Sequence, residues 1–241
     1  MYKTPKETRQ FIEQFQSQVK NIQHKEVIIC PPFISIPAAV ETLGQSMIQV
    51  GAQDAHFCND GAYTGNISPV MLREIGVRYV IIGHSERRQE GENDEIINRK
   101  IKNVLNNGLK VIFCVGETLI QREKNATESV LQVQLMQGLQ GIAVGDLSRI
   151  IIAYEPVWAI GTGKTATPSQ ANDVHQFIRQ IIGHKYSALQ SEEIRIQYGG
   201  SVKPENIQLL MKQPDIDGVL VGGASLQVDS FLKIIHYDQT E

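Results

Sequence analysis

The sequence predicts an α/β fold of the (β/α)8 barrel class, with seven of the eight strands inside its 241 residues. Short runs rich in β-branched residues recur along the chain, and each is followed by a longer amphipathic segment, which is typical of a parallel sheet wrapped by helices. Nearly every run ends in a polar residue or a glycine pair. A doubly wound sheet would instead gather its polar groups at one switch point. Because no linker or low-complexity block divides the chain, we expect one domain over residues 1–241.

The first predicted element is a helix rather than a strand. Thr4 is expected to be its N-cap, Pro5 its first residue and Glu7 the acidic partner in a capping box. A barrel assembled from strand-then-helix units should open on a strand, so we expect the first strand to be missing in front of Met1.

Seven strands and two well-bounded helices follow in order. The strands cover 26–30, 48–53, 78–84, 110–116, 149–155, 193–200 and 218–223. Gly108 should stop the helix over 94–108. Pro168 and Gly183 should bound the helix over 168–183. With one strand absent, the first and last strands would be unpaired edges, so we expect the chain as it stands to have low activity and to associate.

Composition indicates which classes of partner to expect. The formal net charge is −3 and the basic residues are spread out, so no basic stripe indicates nucleic-acid binding. No apolar run approaches the ~18 residues of a membrane span. The three cysteines lack C-x-x-C spacing, which favours buried thiols in a reducing compartment, and we expect a cytoplasmic protein. No metal site is expected, and five histidines are interpreted as surface or capping residues: His24, His56, His175, His184 and His236.

The segment GTGKT at 161–165 looks like part of a nucleotide-binding loop but lacks its first glycine. A P-loop requires G-x-x-x-x-G-K-[ST], because the first glycine lets the backbone wrap round the phosphates. Trp158 occupies the position of that glycine, which argues against a nucleotide site on steric grounds.

Two side chains at strand ends are the candidate catalytic pair. Glu155 ends the strand over 149–155, where partial desolvation would make its carboxylate a base. His84 ends the strand over 78–84 at the start of a helical turn, whose N-terminus would keep the imidazole neutral and able to donate a hydrogen bond to an oxyanion. The alternatives are a structural ion pair for Glu155 and a core histidine for His84. Because both residues are expected on one face of the barrel, we interpret Glu155 as a base and His84 as an electrophile in preference to these alternatives.

Two glycine-rich strand ends indicate an anion site. YGGSVKPENI at 198–207 and VLVGGASL at 219–226 each place glycines and then serine between a strand and a helix. Backbone N–H groups and helix N-termini at such positions favour phosphate, which barrels commonly bind after their last two strands. The loop AIGTG at 159–163 has a flexible tip between stiffer ends, as expected for a lid beside Glu155.

Together, AYEPVWAIGTGKTATP, IIGHSERR, CVGET, YGGSVKPEN and DGVLVGGASL resemble the triosephosphate isomerase family, in the same order and across essentially the whole chain. The resemblance implies a homodimeric TIM barrel that interconverts dihydroxyacetone phosphate and D-glyceraldehyde 3-phosphate through an enediolate, without a cofactor. It implies Glu155 as the base and His84 as the neutral electrophile. The residues that it implies for phosphate binding are Gly161, Ser201, Gly222 and Gly223.

The chain departs from the family pattern at several positions. The family enters its first helix through a strand ending in GNWKM, whose Asn and Lys contact the substrate, and this chain begins at that Met. Asn66 stands where an acidic residue is usual, Asp54 stands where asparagine is usual, and the segment 88–93 is short. A catalytically silent remnant or binding protein of the same fold is therefore an alternative, and so is another phosphate-binding barrel enzyme.

Overall fold

The computed structural model describes residues 1–19, 22, 24–160 and 165–239. The strands are β1 (Ile28–Ile29), β2 (Gln49–Ala52), β3 (Tyr79–Ile82), β4 (Lys110–Val115), β5 (Ile150–Tyr154), β6 (Arg195–Tyr198) and β7 (Gly218–Val219). The helices are α1 (Pro5–Gln18), α2 (Ile36–Leu43), α3 (Pro69–Glu74), α4 (Ser85–Gln89), α5 (Asp94–Asn106), α6 (Leu119–Glu123), α7 (Thr127–Gly138), α8 (Pro168–Lys185), α9 (Ala188–Glu193), α10 (Ile207–Met211) and α11 (Val228–Ile235). None of the described helices is long and apolar enough to cross a membrane.

All seven strands in the described residues form one parallel sheet, in the order in which they occur along the chain. In the longest ladder, Val111 of β4 lies opposite Ile150 of β5, and Val115 lies opposite Tyr154. Parallel strands joined by helical crossovers bring their C-terminal ends to one edge of the sheet. The predicted α/β barrel fold is confirmed, and β1 and β7 are the two edge strands of the described sheet.

Apolar side chains pack on both faces of this sheet. Successive residues of a strand point to opposite faces, so Phe113 of β4 packs with the helix-facing core while Ile112 and Cys114 belong to a separate inner cluster. The inner cluster consists of Tyr79, Ile81, Ile112, Cys114, Ile151 and Ala153. Burial on both faces explains why the strand sequences are almost continuously apolar instead of alternating.

A polar cluster joins strand starts that are distant in the sheet order. Glu26, just before β1, accepts hydrogen bonds from the Tyr79 hydroxyl at 2.5 Å and from Arg195 Nη1 at 2.6 Å. Lys110 Nζ donates to the same Tyr79 hydroxyl at 2.9 Å. Because Arg195 begins β6, its contact with Glu26 requires the sheet to curl until its first and sixth strands approach each other. The sheet is therefore a barrel wall.

The first helix begins as predicted, whereas one predicted helix end is wrong. The Thr4 side chain accepts from the Glu7 backbone N–H, and the Glu7 carboxylate accepts from the Thr4 backbone N–H, which completes the capping box. Gly183 does not end α8, which continues to Lys185. A Cβ atom at Gly183 would lie 3.5 Å from Ser191 Cβ, so this glycine lies where α8 packs against α9.

His175 is buried, which corrects its interpretation as a surface or capping residue. None of its surface is exposed, and its Nδ1 lies 3.1 Å from the Asp215 carbonyl oxygen. Its ring packs edge-on against Tyr154, with the ring centroids 5.9 Å apart. Helical spacing places His175 beside the buried Ala171 and Ile178 of α8. Burial lowers the pKa of His175 to about 4.

His175 should make folding stability fall as the pH falls from about 6.5 toward 4. In the unfolded chain the imidazole takes up a proton near its ordinary pKa of about 6.5, whereas in the folded chain it takes up a proton only near pH 4. The unfolded state then binds more protons, so the free energy of unfolding decreases, by up to about 3 kcal/mol at pH 4. Denaturant unfolding between pH 4 and 8 measures this loss.

The matched variants for this measurement are His175→Leu and, on the same helix, His184→Leu at an exposed position. His175→Leu should lose this part of the pH dependence, and His184→Leu should keep it. Identical pH slopes in the wild type and in His175→Leu would contradict the assignment.

Candidate active site

The two predicted catalytic side chains contact each other at the C-terminal edge of the sheet. Glu155 directly follows β5, and His84 lies two residues beyond the end of β3. Their closest atoms, His84 Nε2 and Glu155 Oε1, are 2.9 Å apart. Strand β4 separates β3 from β5, so the two side chains meet above the end of the strand between them.

Glu155 is held at both carboxylate oxygens. The second oxygen, Oε2, accepts a hydrogen bond of 3.0 Å from the backbone N–H of Ser85, the first residue of α4. Only 2% of Glu155 is exposed. A carboxylate with so little solvent contact depends on such donors for its stabilisation, because burial of an unpaired charge is strongly unfavourable. The carboxylate is thus desolvated and directed toward His84.

Two glycines make room for Glu155. A Cβ atom on Gly116 would lie 1.7 Å from the Glu155 carbonyl oxygen, and one on Gly199 would lie 2.9 Å from Glu155 Cγ. Both distances are too short for any side chain. This role is not evident from the sequence, although each glycine follows a strand, Gly116 in CVGET and Gly199 in YGGS. Gly116 thus leaves space for the backbone of Glu155, and Gly199 leaves space for its side chain.

The contacts of His84 specify which ring nitrogen carries the proton. His84 is the N-cap of α4, and its Nδ1 accepts a hydrogen bond of 3.3 Å from the backbone N–H of Glu86. A nitrogen that accepts a hydrogen bond carries no proton, so in the neutral ring the proton is on Nε2 and is donated to Glu155.

The environment acts on the charge of His84 in two directions. Burial lowers the pKa of His84, but the hydrogen bond to Glu155 and the charge of that carboxylate raise it more, so the net direction is upward. The helix N-terminus, which is the influence on His84 predicted from the sequence, favours the neutral ring. The Nδ1 contact fits the neutral ring alone, because a protonated Nδ1 would oppose the Glu86 N–H. This contact therefore favours the neutral ring with its proton on Nε2.

A second buried carboxylate, Glu117, anchors the entrance to the loop after β5. Glu117 has no exposed surface and accepts hydrogen bonds from the Tyr154 hydroxyl at 3.1 Å, Trp158 Nε1 at 2.9 Å and Arg122 Nη1 at 3.0 Å. The Arg122 guanidinium also lies 4.6 Å from the centre of the Trp158 ring. Burial raises the pKa of Tyr154, and the negative charge of Glu117 adds to this shift. Trp158 is therefore fixed by polar contacts as well as by packing.

The predicted anion-binding loops lie at the ends of two neighbouring strands. Ser201 follows β6, and Gly222 and Gly223 follow β7. The Leu220 N–H donates to the Tyr198 carbonyl oxygen at 3.0 Å, which aligns the two strand ends. Gly222 and Gly223 have no neighbouring atom within 4 Å of an added Cβ, so the space beside their backbone is open. The predicted lid residue Gly161 lies outside the described residues, as does the rest of 161–164.

Helix α4 is held in place by a partly buried charge cluster. Arg87 binds Glu92 through Nε at 2.8 Å and Nη2 at 2.6 Å, and its Nε is 3.4 Å from Asp54 Oδ2. Lys100, which is 4% exposed, donates to both oxygens of Asp54 at 2.7 and 2.8 Å. Asp54 therefore supplies a negative charge to a cluster that also contains two cations, which gives a physical reason for an aspartate at this position.

Comparisons with known proteins give one consistent family. A family model described as triosephosphate isomerase matches residues 1–238. The chain is similar to the curated triosephosphate isomerase of Carboxydothermus hydrogenoformans, with 52% identity over 236 residues that cover 98% of this chain and 94% of the relative. It is also similar to those of Geobacter metallireducens (51% over 238 residues; 98% and 95%) and Dictyoglomus thermophilum (50% over 236 residues; 98% and 95%).

Replacement of Glu117 by glutamine should loosen the loop after β5. The amide has lost the charge that binds Arg122, and it has a single accepting oxygen for donors that share two oxygens in Glu117. We expect a loss of about 1.5–3 kcal/mol in the free energy of unfolding, the range for hydrogen bonds to charged groups. Trp158 is the only tryptophan in the sequence, so its fluorescence reports the change directly, with emission shifting to longer wavelength.

The control is Glu123→Gln, which removes an exposed carboxylate from nearby α6. Both variants are compared with the wild type by denaturant unfolding and by tryptophan emission. If Glu117→Gln matches Glu123→Gln in both measurements, Glu117 does not anchor this loop.

Proposed function

The chain belongs to the triosephosphate isomerase family and interconverts dihydroxyacetone phosphate and D-glyceraldehyde 3-phosphate; from this premise we propose that Glu155 is the catalytic base and His84 the electrophile. One observation carries the proposal. A carboxylate that is 2% exposed lies 2.9 Å from the Nε2 of a histidine at the C-terminal edge of the sheet. A desolvated base beside a hydrogen-bond donor is the combination that proton abstraction next to a carbonyl requires.

The proposed reaction moves one proton from C1 to C2 and a second proton from the 1-hydroxyl to the oxygen on C2, and it passes through an enediolate. The Glu155 carboxylate removes a proton from C1 of dihydroxyacetone phosphate, the C–H electron pair forms the C1–C2 double bond, and the carbonyl oxygen gains the negative charge. His84 Nε2–H donates a hydrogen bond to that oxygen and stabilises the enediolate. The proton of the 1-hydroxyl then passes to the oxygen on C2, the electron pair left on the 1-oxygen forms the aldehyde double bond, and the electron pair of the C1–C2 double bond takes the proton back from Glu155 at C2, which gives D-glyceraldehyde 3-phosphate.

The contact between His84 and Glu155 in the ligand-free protein implies that His84 changes its hydrogen-bond partner when substrate binds. His84 Nε2 now faces Glu155 Oε1, whereas in the reaction it must face the substrate oxygen. The substrate carbonyl therefore takes the place of one carboxylate oxygen as the acceptor for His84. The free protein holds the donor and the base in position through each other, and a ligand that provides a new acceptor releases the base toward carbon.

The phosphate is proposed to bind to Gly161, Ser201, Gly222 and Gly223. The open space beside the backbone of Gly222 and Gly223 supports this, because close approach of an anion to backbone N–H groups requires the absence of side chains. No metal ion or cofactor takes part in the proposed mechanism, since the acid–base pair alone accounts for the proton transfer.

We further propose that the enzyme works as a cytoplasmic homodimer without nucleic-acid or membrane partners. The loop over 61–66 supports the dimer, because it is exposed throughout and carries Tyr63, whose surface is 41% exposed. Cys30, Cys58 and Cys114 are free thiols, in keeping with a reducing compartment. Sedimentation velocity tests the dimer: a species of twice the chain mass is expected, and a monomer at all concentrations would exclude it.

Glu155→Asp should lower turnover about a hundredfold while leaving the affinity for a phosphate-bearing analogue nearly unchanged. The shorter side chain withdraws the carboxylate by ~1 Å from the reacting carbon, and such a displacement costs on the order of a hundredfold in proton transfer. Coupled-assay kcat and phosphoglycolate binding are the two measurements. Glu193→Asp, at an exposed position of α9, controls for the substitution itself. Equal losses in turnover and in affinity would argue against Glu155 as the base.

Gly223→Asp should weaken binding of phosphorylated ligands roughly tenfold or more, because like charges placed together cost several kcal/mol. Gly145→Asp is the matched control, since neither glycine has an atom within 4 Å of an added Cβ. Calorimetric titration with phosphoglycolate compares the two variants. Wild-type affinity in Gly223→Asp would show that the phosphate binds elsewhere.

A further inference from the structure

We propose that Arg88 is a positioning residue for the isomerase reaction, because its guanidinium fixes the backbone that presents His84 and Ser85 to Glu155. This inference rests on the proposed role of His84. Arg88 lies in α4, does not contact Glu155 and has no part in the proton transfer itself. Its effect on the reaction passes through the short segment from Gly83 to Ser85.

Arg88 supplies hydrogen bonds where the sheet stops supplying them. The pairing of β3 with β4 ends at Ile82 opposite Phe113. Immediately beyond it, Arg88 Nε donates to the Gly83 carbonyl oxygen at 2.8 Å, and Nη2 donates to the Cys114 carbonyl oxygen at 3.1 Å. The guanidinium therefore joins the two strand ends at the point where the chain leaves β3 to form His84.

A third contact fixes the plane of the guanidinium. Arg88 Nη1 binds Asp94 Oδ1, at the start of α5, at 2.7 Å. Both side chains are largely buried, with 17% of Arg88 and 15% of Asp94 exposed. Three acceptors in three directions match the rigid, planar donor set of arginine, which a lysine ammonium cannot reproduce. The ion pair thus orients the two bonds to the strand carbonyls.

Arg88 holds a backbone conformation at Gly83 that residues other than glycine rarely adopt. Gly83 has a φ of 76°, and an added Cβ would lie 3.1 Å from the Cys114 carbonyl oxygen and 3.3 Å from Arg88 Nη2. The peptide group after Gly83 carries the N–H of His84 and leads directly into the Ser85 N–H that binds Glu155. Since α4 has five residues, its own hydrogen bonds contribute little to fixing its position.

Loss of Arg88 should disturb this segment without detaching α4. Arg87, on the same helix, still binds Glu92 and lies near Asp54. The helix therefore stays attached to the segment before α5 and to the loop after β2, while the peptide groups around His84 gain freedom. Both contacts that orient the catalytic pair, Glu86 N–H to His84 Nδ1 and Ser85 N–H to Glu155, depend on that segment.

The test compares Arg88→Met and Arg88→Lys with Arg179→Met in the full chain. Arg179 is the matched control, because it is 14% exposed and also binds backbone carbonyls, of Ser191 and Ile194, together with the carboxylate of Asp215. It lies in α8, away from His84. Arg179→Met should lower the unfolding midpoint and leave kcat and KM of the folded protein within about twofold of the wild type.

Arg88→Lys and Arg88→Met should lower kcat ten- to a hundredfold with KM within about twofold, as expected for a displaced catalytic group. Long-range ¹H–¹⁵N correlations of the His84 ring should show the Nε2–H form in the wild type and in Arg179→Met. In the Arg88 variants they should show exchange with the other tautomer. If Arg88→Met does not fold, Arg88→Lys decides.

A wild-type kcat in Arg88→Lys together with an unchanged His84 ring signature would overturn the proposal, and so would kcat losses no larger than those of Arg179→Met. His84→Gln separates this inference from the proposed function. If His84→Gln keeps its turnover, both fall. If His84→Gln loses turnover and Arg88→Lys does not, only the role of Arg88 falls.

Discussion

The buried carboxylate of Glu155 is the group on which the arrangement of the site depends. Removing a charge from water costs several kcal/mol unless donors replace the lost hydration, and here two donors from one short segment do so. The Ser85 N–H and the His84 Nε2 bind one oxygen each. Because both donors lie on the same few residues after β3, the position of that segment sets the position of the base. The strands, the two glycines beside Glu155 and helix α4 can all be understood as supports of this contact.

The two arginines of α4 illustrate how neighbouring residues of one type support the same helix differently. Arg87 faces a cluster of carboxylates and Lys100, and it joins α4 to other parts of the chain through charge. Arg88 turns to the strand ends and binds two neutral carbonyl groups, with Asp94 as its ionic partner. The contacts of Arg87 depend on the charge state of the cluster. Those of Arg88 replace the hydrogen bonds between β3 and β4 beyond the point where the pairing of these strands ends.

The sequence predicted the features that depend on local pattern. Buried strands, the capping box of Thr4 and the strand-end positions of His84 and Glu155 follow from apolar runs, turn residues and barrel geometry. The direct contact of His84 with Glu155 could not be predicted, because it depends on side-chain directions above β4. The roles of Gly116 and Gly199 require backbone separations that spacing does not contain. His175 was misjudged because its polar ring was weighed alone, although its spacing from Ala171 and Ile178 along α8 places it on the buried face.

The polar contacts at the strand starts have a consequence for how the chain assembles. Strand neighbours in this sheet are neighbours in the chain, so each new strand can add to the one already formed. Glu26 and Arg195, by contrast, are separated by 169 positions, and Lys25 reaches the Ile235 carbonyl oxygen across 210 positions. Contacts between such distant residues carry a large loop-closure entropy and form after nearby contacts have shortened the effective loop. During synthesis, the wall can therefore grow strand by strand from its N-terminal side, while the contacts that curl it closed must wait for the last fifth of the polypeptide to emerge.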